Sequence, residues 1–339
     1  MLIYNALSLA ATTTGTGTFS LGTATAGFET FANKGLRDKR IVFYWARNGT
    51  SEWEHGIGVY STGSPNTLTR PVILESSNSD AAVNFTAVPT IFIDMPADMF
   101  NQWNVEALYG ANLAGQVGWP SQAGAATITY PTPTAPAPGA LNLASAATAN
   151  ADARAGPATG NAGIRPARAT TDILTGFWYD AVIGLPDSDY GTGATGARIA
   201  WGLGDSNGTP HGLVADTPTT AATNSGGLQF QFSTNRSDTN WQVCAVKNDG
   251  GTTTATITDT GLAFAANGTW WRGMFLSRPA VANEVIWMLE RQDAAGAAVG
   301  RITTNLAHHY GPYHQLGVRT LTTVARNIRV RGVRIMRPA

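Results

Sequence analysis

The stretch NEVIWMLERQDAAGAAVGRI, Asn283 to Ile302, decides the fold class. Its first part is dense in β-branched, aromatic and other large apolar residues, which favour a pleated strand. The residues Asp293 to Gly296 then supply a turn with a glycine, and a second strand-like run follows. The stretch therefore predicts a β-hairpin, and we find no helical period in it.

The same pattern recurs on both sides of this hairpin. Strand-like runs include GFWYDAVIGL, ARIAWGLGD, GLQFQF, WQVCAVKND, TATITDTGLAF and WWRGMFLS. Near the C-terminus, Ile328 and Val330 alternate with arginines, the phase slips at Gly332, and the alternation resumes at Val333. That slip is typical of a strand with a glycine bulge. About nine strands without a helical period predict a two-sheet sandwich over residues 170–339.

The N-terminal part also shows strand signals, from Phe28 to about Val105. The run RIVFYWA is rich in β-branched and aromatic residues, and the Asn48-Gly49 pair that follows it is a strong hairpin signal. In LTRPVILESSNSDAAVNFTA, the SSNSDAA segment is predicted to be a turn between strands, without reactive groups. Short strands at close spacing predict a small barrel or sandwich over residues 1–110.

The character of the sequence changes between these two regions. Residues 111–169 are rich in Ala, Pro, Gly and Thr, and they contain the run PTPTAPAP. Such a segment buries too little apolar surface to offset its ordering entropy, and its proline run favours an extended, stiff chain. We predict a linker or a loosely packed arm here.

Composition excludes several classes of protein. Basic and acidic residues balance at 22 each, so no overall field attracts nucleic acid. The single cysteine, Cys244, allows no internal disulfide, and its apolar surroundings predict a buried, inert thiol. The sequence holds no run of about 18 apolar residues, so no membrane insertion is expected. No cofactor is expected either.

The N-terminal part resembles a module common in phage and prophage structural proteins. The resemblance rests on VFYWARNGTSEWEHGIGVYSTGSPNTLTRPVILESSNSDAAVNFTAVPTIFIDMPA. Its features are an aromatic strand, Trp53-Glu54, Gly56-Ile57-Gly58, Leu68-Thr69-Arg70 and Val83-Asn84-Phe85. The resemblance implies a virion protein, located on the particle, in which this region serves attachment to other virion proteins.

The C-terminal part resembles the concanavalin A-like jelly-roll domains of phage tail fibres and related appendages. The matching text runs from GFWYDAVIGL through ARIAWGLGDS, DTNWQVCAVKNDGGTTTATITDTG and VIWMLERQ to AVGRITTNL. This resemblance implies a non-enzymatic fibre or adhesin that contacts host surface polysaccharide, and it favours a homotrimer. A purely structural virion component, such as a head fibre, decoration or baseplate protein, remains the alternative.

A polysaccharide depolymerase is the less favoured reading of the same fold. A glycosidase needs two carboxyl groups about 5–10 Å apart, depending on mechanism. Asp187 and Asp189 have a suitable spacing but lie in a predicted turn, LPDSDYGTG. Glu284 and Glu290 flank one strand and would lie roughly 20 Å apart. The sequence therefore predicts no catalytic residues.

Two groups of residues are candidates for ligand binding. The first is the loop AHHYGPYHQ, where imidazole and phenol groups gather: His308, His309, Tyr310, Tyr313 and His314. As a polar-aromatic surface the loop could stack on sugar. As a metal site, the loop lacks supporting ligands at a fixed spacing, so no metal is predicted. The third possibility is a structural loop at a subunit contact.

The second candidate group is the arginines of the last strand. Arg329 and Arg331 share one face of that strand, and Arg334 is able to join them across the bulge. Such a row suits acidic sugars, and pairing with acids of a neighbouring subunit is the alternative. The adjacent Trp270 and Trp271 must face opposite sides of a strand, one in the core and the other exposed or at an interface.

Overall fold

The structure is a computed structural model. It describes residues 7–93, 103–109, 126–129, 140–149, 152–155, 177–192, 196–204, 227–248, 253–278, 284–303 and 313–338. Every regular element within these ranges is a β-strand. In the described part of the chain, no helix has the length and apolar character needed to cross a membrane.

The N-terminal strands close into a small barrel. Their bounds are β1 Ser8–Ala11, β2 Phe19–Ala24, β3 Arg40–Asn48, β4 Glu52–Ser61, β5 Asn66–Leu68, β6 Val72–Ser76 and β7 Thr90–Ile93. The order β3-β7-β1-β2-β5-β4 returns to its start because β3 also pairs with β4, and β6 adds to β4 outside this ring. The β3–β4 hairpin turns at the predicted Asn48-Gly49 pair, where Gly49 has a φ of 63°.

The barrel is filled by one side of each strand. On β3, Val42, Tyr44 and Ala46 point inward, as expected for a period of two residues. Two loop-flanking rings, Phe19 and Phe85, lie in the same core with their centroids 5.8 Å apart. The closed ring leaves its six strands without a long exposed edge.

The remaining strands form two sheets. Their bounds are β8 Trp103–Tyr109, β9 Ala126–Thr129, β10 Leu141–Ser145, β11 Asp152–Ala155, β12 Phe177–Leu185, β13 Ala197–Gly204, β14 Gly227–Ser233, β15 Asn240–Asn248, β16 Thr253–Ala263, β17 Thr269–Ser277, β18 Glu284–Arg291, β19 Ala297–Thr303, β20 Tyr313–Thr320 and β21 Asn327–Pro338. The eight-stranded sheet has the order β19-β18-β17-β12-β21-β10-β9, with β8 on β21. The six-stranded sheet has the order β11-β20-β13-β14-β15-β16.

Aromatic rings join the two sheets into a sandwich. Phe230 of the six-stranded sheet stacks on Phe275 of the eight-stranded sheet, with centroids 4.5 Å apart. Trp241 and Trp271 make a second contact of this kind at 5.8 Å, and both are fully buried. Such rings bury large area and prefer offset-stacked or edge-to-face contacts. The predicted all-β fold, a small N-terminal barrel and a C-terminal two-sheet sandwich, is confirmed.

The segment predicted to be a linker, 111–169, contains three short strands. β9 and β10 pair with each other and β10 pairs with β21, so that Leu143 lies opposite Ile328. β11 pairs with β20 in the other sheet. The composition did not indicate these strands, because backbone pairing at a sheet edge needs few large apolar side chains.

Contacts group the chain into two compact units. The first comprises Met1–Trp103 together with Met288–Arg301, and the second comprises Asn104–Trp287 with Ile302–Ala339. Within the first unit, Arg40 forms an ion pair with Glu290 at 3.0 Å, and Arg301 donates to the carbonyl of Ile73. The predicted boundaries at residues 110 and 170 stay predictions.

Candidate functional site

The residues that carry the N-terminal resemblance meet around one buried ion pair. Arg70 uses all five of its N–H donors. Its Nε donates to Glu54 Oε1 at 2.7 Å, and Nη2 donates to Glu54 Oε2 and to the Val83 carbonyl. Its Nη1 donates to the carbonyls of Gly15 and Gly17 at 3.0 and 3.1 Å. One side chain therefore fastens two loops and a strand at one end of the barrel.

Both carboxylate oxygens of Glu54 also accept hydrogen bonds within this network. Besides Arg70, its carboxylate accepts the Tyr44 hydroxyl at 2.8 Å and the Val83 amide at 2.9 Å. Burial and the neighbouring Glu54 charge raise the pKa of Tyr44 well above its ordinary value. The ion pair is enclosed, since the Glu54 and Arg70 side chains are 0% and 2% exposed. This network is a structural clamp, because nothing in it can reach a ligand.

The two glycines of the Gly56-Ile57-Gly58 motif permit close backbone approach. A Cβ on Gly56 would lie 2.7 Å from both the Tyr44 hydroxyl and the Val72 carbonyl. A Cβ on Gly58 would lie 2.1 Å from the Thr69 carbonyl. The motif therefore serves packing around the clamp, which agrees with the absence of reactive groups noted in the sequence.

The carboxylates considered for glycoside hydrolysis have other partners. Glu284 and Glu290 lie at opposite ends of β18, where Glu284 pairs with Arg278 at 2.8 Å and Glu290 pairs with Arg40. Both oxygens of Asp187 accept hydrogen bonds from Asn327, at 2.7 and 2.9 Å. These contacts assign the three carboxylates to holding strands and turns together.

The predicted binding residues fall in different parts of the chain. His308, His309 and Tyr310 lie outside the described residues. Tyr313 and His314 begin β20, where they pair with Gly204 and Leu203 in the six-stranded sheet. Arg329 and Arg331 lie on β21 of the eight-stranded sheet. The two predicted groups therefore belong to different sheets, and the role of the histidine loop stays a prediction.

Among the residues that the structure describes, no group of His, Cys, Asp or Glu side chains lies close enough together to hold a metal ion. Cys244 is fully buried, as predicted, and burial raises the pKa of its thiol to about 12. A thiol held neutral in this way is a poor nucleophile and a poor metal ligand.

A row of four residues in register crosses the outer side of the eight-stranded sheet. Inward residues of β12 such as Ile183 are fully buried, so Gly184 faces outward. In register, Gly184 lies opposite Trp270 on β17 and opposite Arg329 on β21, and Arg329 lies opposite Asn142 on β10. Together with Arg331 these four residues form what we call the arginine face.

Gly184 decides where the Trp270 indole lies. A Cβ at position 184 would be 2.9–3.0 Å from three carbons of that ring, so the ring covers the glycine. Trp271, next in sequence, is 1% exposed in the core, while Trp270 is half-buried on the outer side. The prediction that the two tryptophans face opposite sides is confirmed.

The predicted glycine bulge determines the position of Arg331. Ile183 pairs with Val330 and the preceding Val182 pairs with Gly332, so Arg331 is the extra residue. The bulge keeps Val330 and Val333 both in the core, at 1% and 2% exposed. Arg331 itself is exposed, and its guanidinium carbon lies 4.0 Å from the Trp270 ring centroid. This is a close cation–π contact.

Arg329 and Arg331 differ from the other described arginines of the sandwich. Within the part of the chain that the structure describes, neither forms a hydrogen bond or an ion pair. The other sandwich arginines whose side chains the structure describes have polar partners or further interactions: Arg198, Arg236, Arg272, Arg278, Arg291, Arg301 and Arg326. Two neighbouring guanidinium groups thus retain unused N–H donors at an accessible surface, which is what oxyanion recognition requires.

Sequence reasoning identified the two arginines but not the residues that surround them. The sequence predicted that one of Trp270 and Trp271 faces outward, without saying which. The contact of Trp270 with Arg331 spans the intervening strand β12, so local sequence does not indicate it. Gly184 and Asn142 carried no signal, because their importance comes from being opposite Arg329 in two neighbouring strands.

The barrel has a separate exposed aromatic row. Trp45 on β3 lies opposite His55 on β4 and opposite Phe92 on β7. Phe28 continues the row, with its ring centroid 6.3 Å from that of Phe92. Trp45 and Phe28 are 38% and 41% exposed. Large exposed apolar side chains in one row are typical of contact surfaces between proteins.

Comparisons with known proteins concern the fold. No protein-family model matches the chain, and no curated protein matches it in sequence. Among solved structures, peanut lectin is similar with 12% identity and a TM-score of 0.47, covering 69% of this chain and 97% of the lectin. Lectin II from Ulex europaeus has 11% identity and a TM-score of 0.43, covering 70% and 99%. The CBM2 module of the evolved Dit of Lactobacillus casei BL23 phage J-1 has 12% identity and a TM-score of 0.39, covering 70% and 97%.

Proposed function

We propose that the chain is a non-enzymatic attachment protein of a bacteriophage or phage-like particle, which binds glycans of a host surface through the arginine face. The observation that carries this proposal is the exposed Arg331 guanidinium held over Trp270, beside the unpaired Arg329. Polysaccharides offer both hydroxyl or acidic oxygens for guanidinium groups and apolar ring faces for an indole. A surface with both kinds of group suits such a ligand.

Binding without cleavage is favoured by the state of the nearby carboxylates. Asp180 lies on the outer side of β12, and both of its oxygens accept hydrogen bonds from Arg272, so this carboxylate is directed at a protein partner. Asp187 is held by Asn327. Glycoside hydrolysis needs a carboxyl group that can reach the glycosidic oxygen, and these two are directed at protein partners.

The virion location and the homotrimer rest on the sequence resemblance alone. The barrel would attach the chain to other virion proteins, and its clamp, built from Glu54 and Arg70, would keep this module rigid. The balanced charge of the chain supports a partner other than nucleic acid.

A glycan array probed with the full chain tests this function. We expect binding to a subset of bacterial surface polysaccharides, loss of that binding on Arg331→Ala, and no release of reducing ends. Absence of binding across the array would contradict an adhesin, and release of reducing ends would favour a depolymerase.

A purely structural virion component is the second candidate, and the exposed aromatic row of the barrel favours it. Trp45, Phe92 and Phe28 offer an apolar surface suited to another protein. In that case Trp45→Ala would abolish incorporation into particles, while Arg331→Ala would leave both incorporation and host attachment unchanged. Particle content, measured by immunoblot of purified virions, separates the two candidates.

A further inference from the structure

We propose that the arginine face selects anionic polysaccharides, whose carboxylate or phosphate groups are bound by Arg331 and Arg329. This inference rests on the proposed glycan-binding function and adds the charge class of the ligand. It follows from three features of the face: the stacking of Arg331, the unpaired state of both arginines, and the engagement of the nearby Asp180 and Asp187 with other residues.

Stacking on Trp270 orients the Arg331 guanidinium before any ligand arrives. A guanidinium over an aromatic ring keeps its N–H donors in its own plane, so they remain available at the edge. The planar fork of donors matches the two oxygens of a carboxylate or phosphate. Because the side chain is already restrained at 4.0 Å from the ring, less rotamer freedom is lost on binding.

The second arginine is placed at a fixed spacing from the first. Arg329 and Arg331 are two residues apart on β21, a separation of about 7 Å along an extended strand. Arg329 lies in the row with Gly184 and Asn142, and the missing side chain of Gly184 lets the Trp270 ring lie over β12, the strand between Trp270 and Arg329. A polymer with repeated charges is thus able to reach both guanidinium groups.

Within the described residues, neither Arg329 nor Arg331 is paired with a carboxylate. Arg272, the cation nearest in register on β17, is matched by Asp180. Asp187, the acid that contacts β21 at Asn327, accepts hydrogen bonds from that residue with both oxygens. Asp187 keeps its negative charge, but its oxygens are directed at Asn327. The two guanidinium groups of the described face therefore keep N–H donors for an oxyanion, which favours an anionic over a neutral ligand.

Binding of the full chain to immobilised polymers tests this inference, with three polysaccharides as probes and polyglutamate as a polyanion without sugar. Polygalacturonate carries carboxylates, glycerol-phosphate teichoic acid carries phosphates, and dextran is neutral. We expect binding to one or both anionic polymers at least tenfold tighter than to dextran, and the preferred polymer identifies the oxyanion. Since the Debye length falls to about 3 Å at 1 M salt, the preference should disappear there.

Three variants locate the effect. Arg331→Ala and Arg329→Ala should each weaken binding to the anionic polymer at least tenfold, because each removes a charge-assisted contact. Gly184→Ala should weaken it without changing charge, since the new Cβ displaces the Trp270 ring. Arg47→Ala is the matched control, because Arg47 is an exposed arginine on the barrel. It should bind like the unmodified chain.

The outcomes separate this inference from the proposed function. Binding to dextran or to neutral glycans that survives Arg331→Ala would overturn the charge selectivity and leave glycan binding standing. Failure to bind any polysaccharide would overturn both. Equal binding to polyglutamate, a polyanion without sugar, would overturn recognition of an anionic sugar polymer. Thermal denaturation of each variant confirms that lost binding does not reflect unfolding.

Discussion

Replacing Arg70 by methionine should destabilise the barrel by about 3–5 kcal/mol, the usual cost of removing one partner of a buried ion pair. The magnitude follows from what is left behind. Glu54 would keep only the Tyr44 hydroxyl and the Val83 amide as donors for a buried charge. The carbonyls of Gly17 and Val83 would also lose the Arg70 donor, and that of Gly15 would keep only the Phe85 amide at 3.4 Å.

Hydrogen exchange measured by mass spectrometry along a urea series resolves this prediction by segment. Peptides from β4 report the barrel, and peptides from β12 report the sandwich. The free energy of unfolding obtained from exchange of the β4 amides should fall by the whole of the expected amount, about 3–5 kcal/mol, the usual cost of a broken buried ion pair. Arg47→Met is the control, since that exposed arginine should change stability by no more than about 0.5 kcal/mol.

A double variant tests whether the cost belongs to the pair. Glu54→Gln combined with Arg70→Met removes both charges, so its cost should be well below the sum of the two single costs. If Arg70→Met alone lowers the free energy of unfolding measured in β4 by less than about 1 kcal/mol, the reasoning is refuted, because a buried carboxylate that loses its cation should destabilise the fold by more than that. Additive costs would refute the coupling.

Three further predictions concern stability and reactivity. Burial raises the pKa of Tyr44 and of Tyr179 well above the ordinary value, so the fold favours their neutral forms. The free energy of unfolding should therefore be constant up to about pH 10 and should fall as the pH rises further. Urea denaturation measured at a series of alkaline pH values tests this, and an unchanged free energy of unfolding would contradict it. Cys244, with a pKa of about 12, should not react with a thiol reagent at pH 8 until the chain is denatured. Rapid labelling of the native chain would contradict this prediction, because it would show that the thiol is accessible. Deleting Gly332 removes the one-residue excess of the bulge, so Val330 and Val333 become two residues apart and strict alternation keeps both in the core. Protection in β12 should therefore be retained in the same exchange experiment, whereas a broad loss of protection there would contradict the assigned register.

Much of the fold could be predicted because strands leave a local record in the sequence. The alternation of Ile328 and Val330 with arginines predicted both the last strand and its bulge, and the structure has both. The same rule of period two assigned Trp270 and Trp271 to opposite sides. These features depend on residues adjacent in the chain.

The segment 111–169 shows where local reasoning stops. Its composition predicted a linker, yet β9, β10 and β11 find partners in the two sheets. Backbone hydrogen bonds stabilise such strands, and these bonds carry no signature in side-chain composition. The partner strands β20 and β21 lie far away in sequence, so only the folded chain reveals the pairing.

The sequence by itself determined the fold class, the strands with strong alternation, and the arginines of β21 as candidates for binding. Only the tertiary structure decided that Arg331 lies on Trp270, that Gly184 makes room for the ring, and that Glu54 and Arg70 meet in the barrel. The physical reason is that pleat alternation is set by neighbouring residues. Contacts across strands depend on register and on loop closure between distant segments, which no short stretch of sequence records.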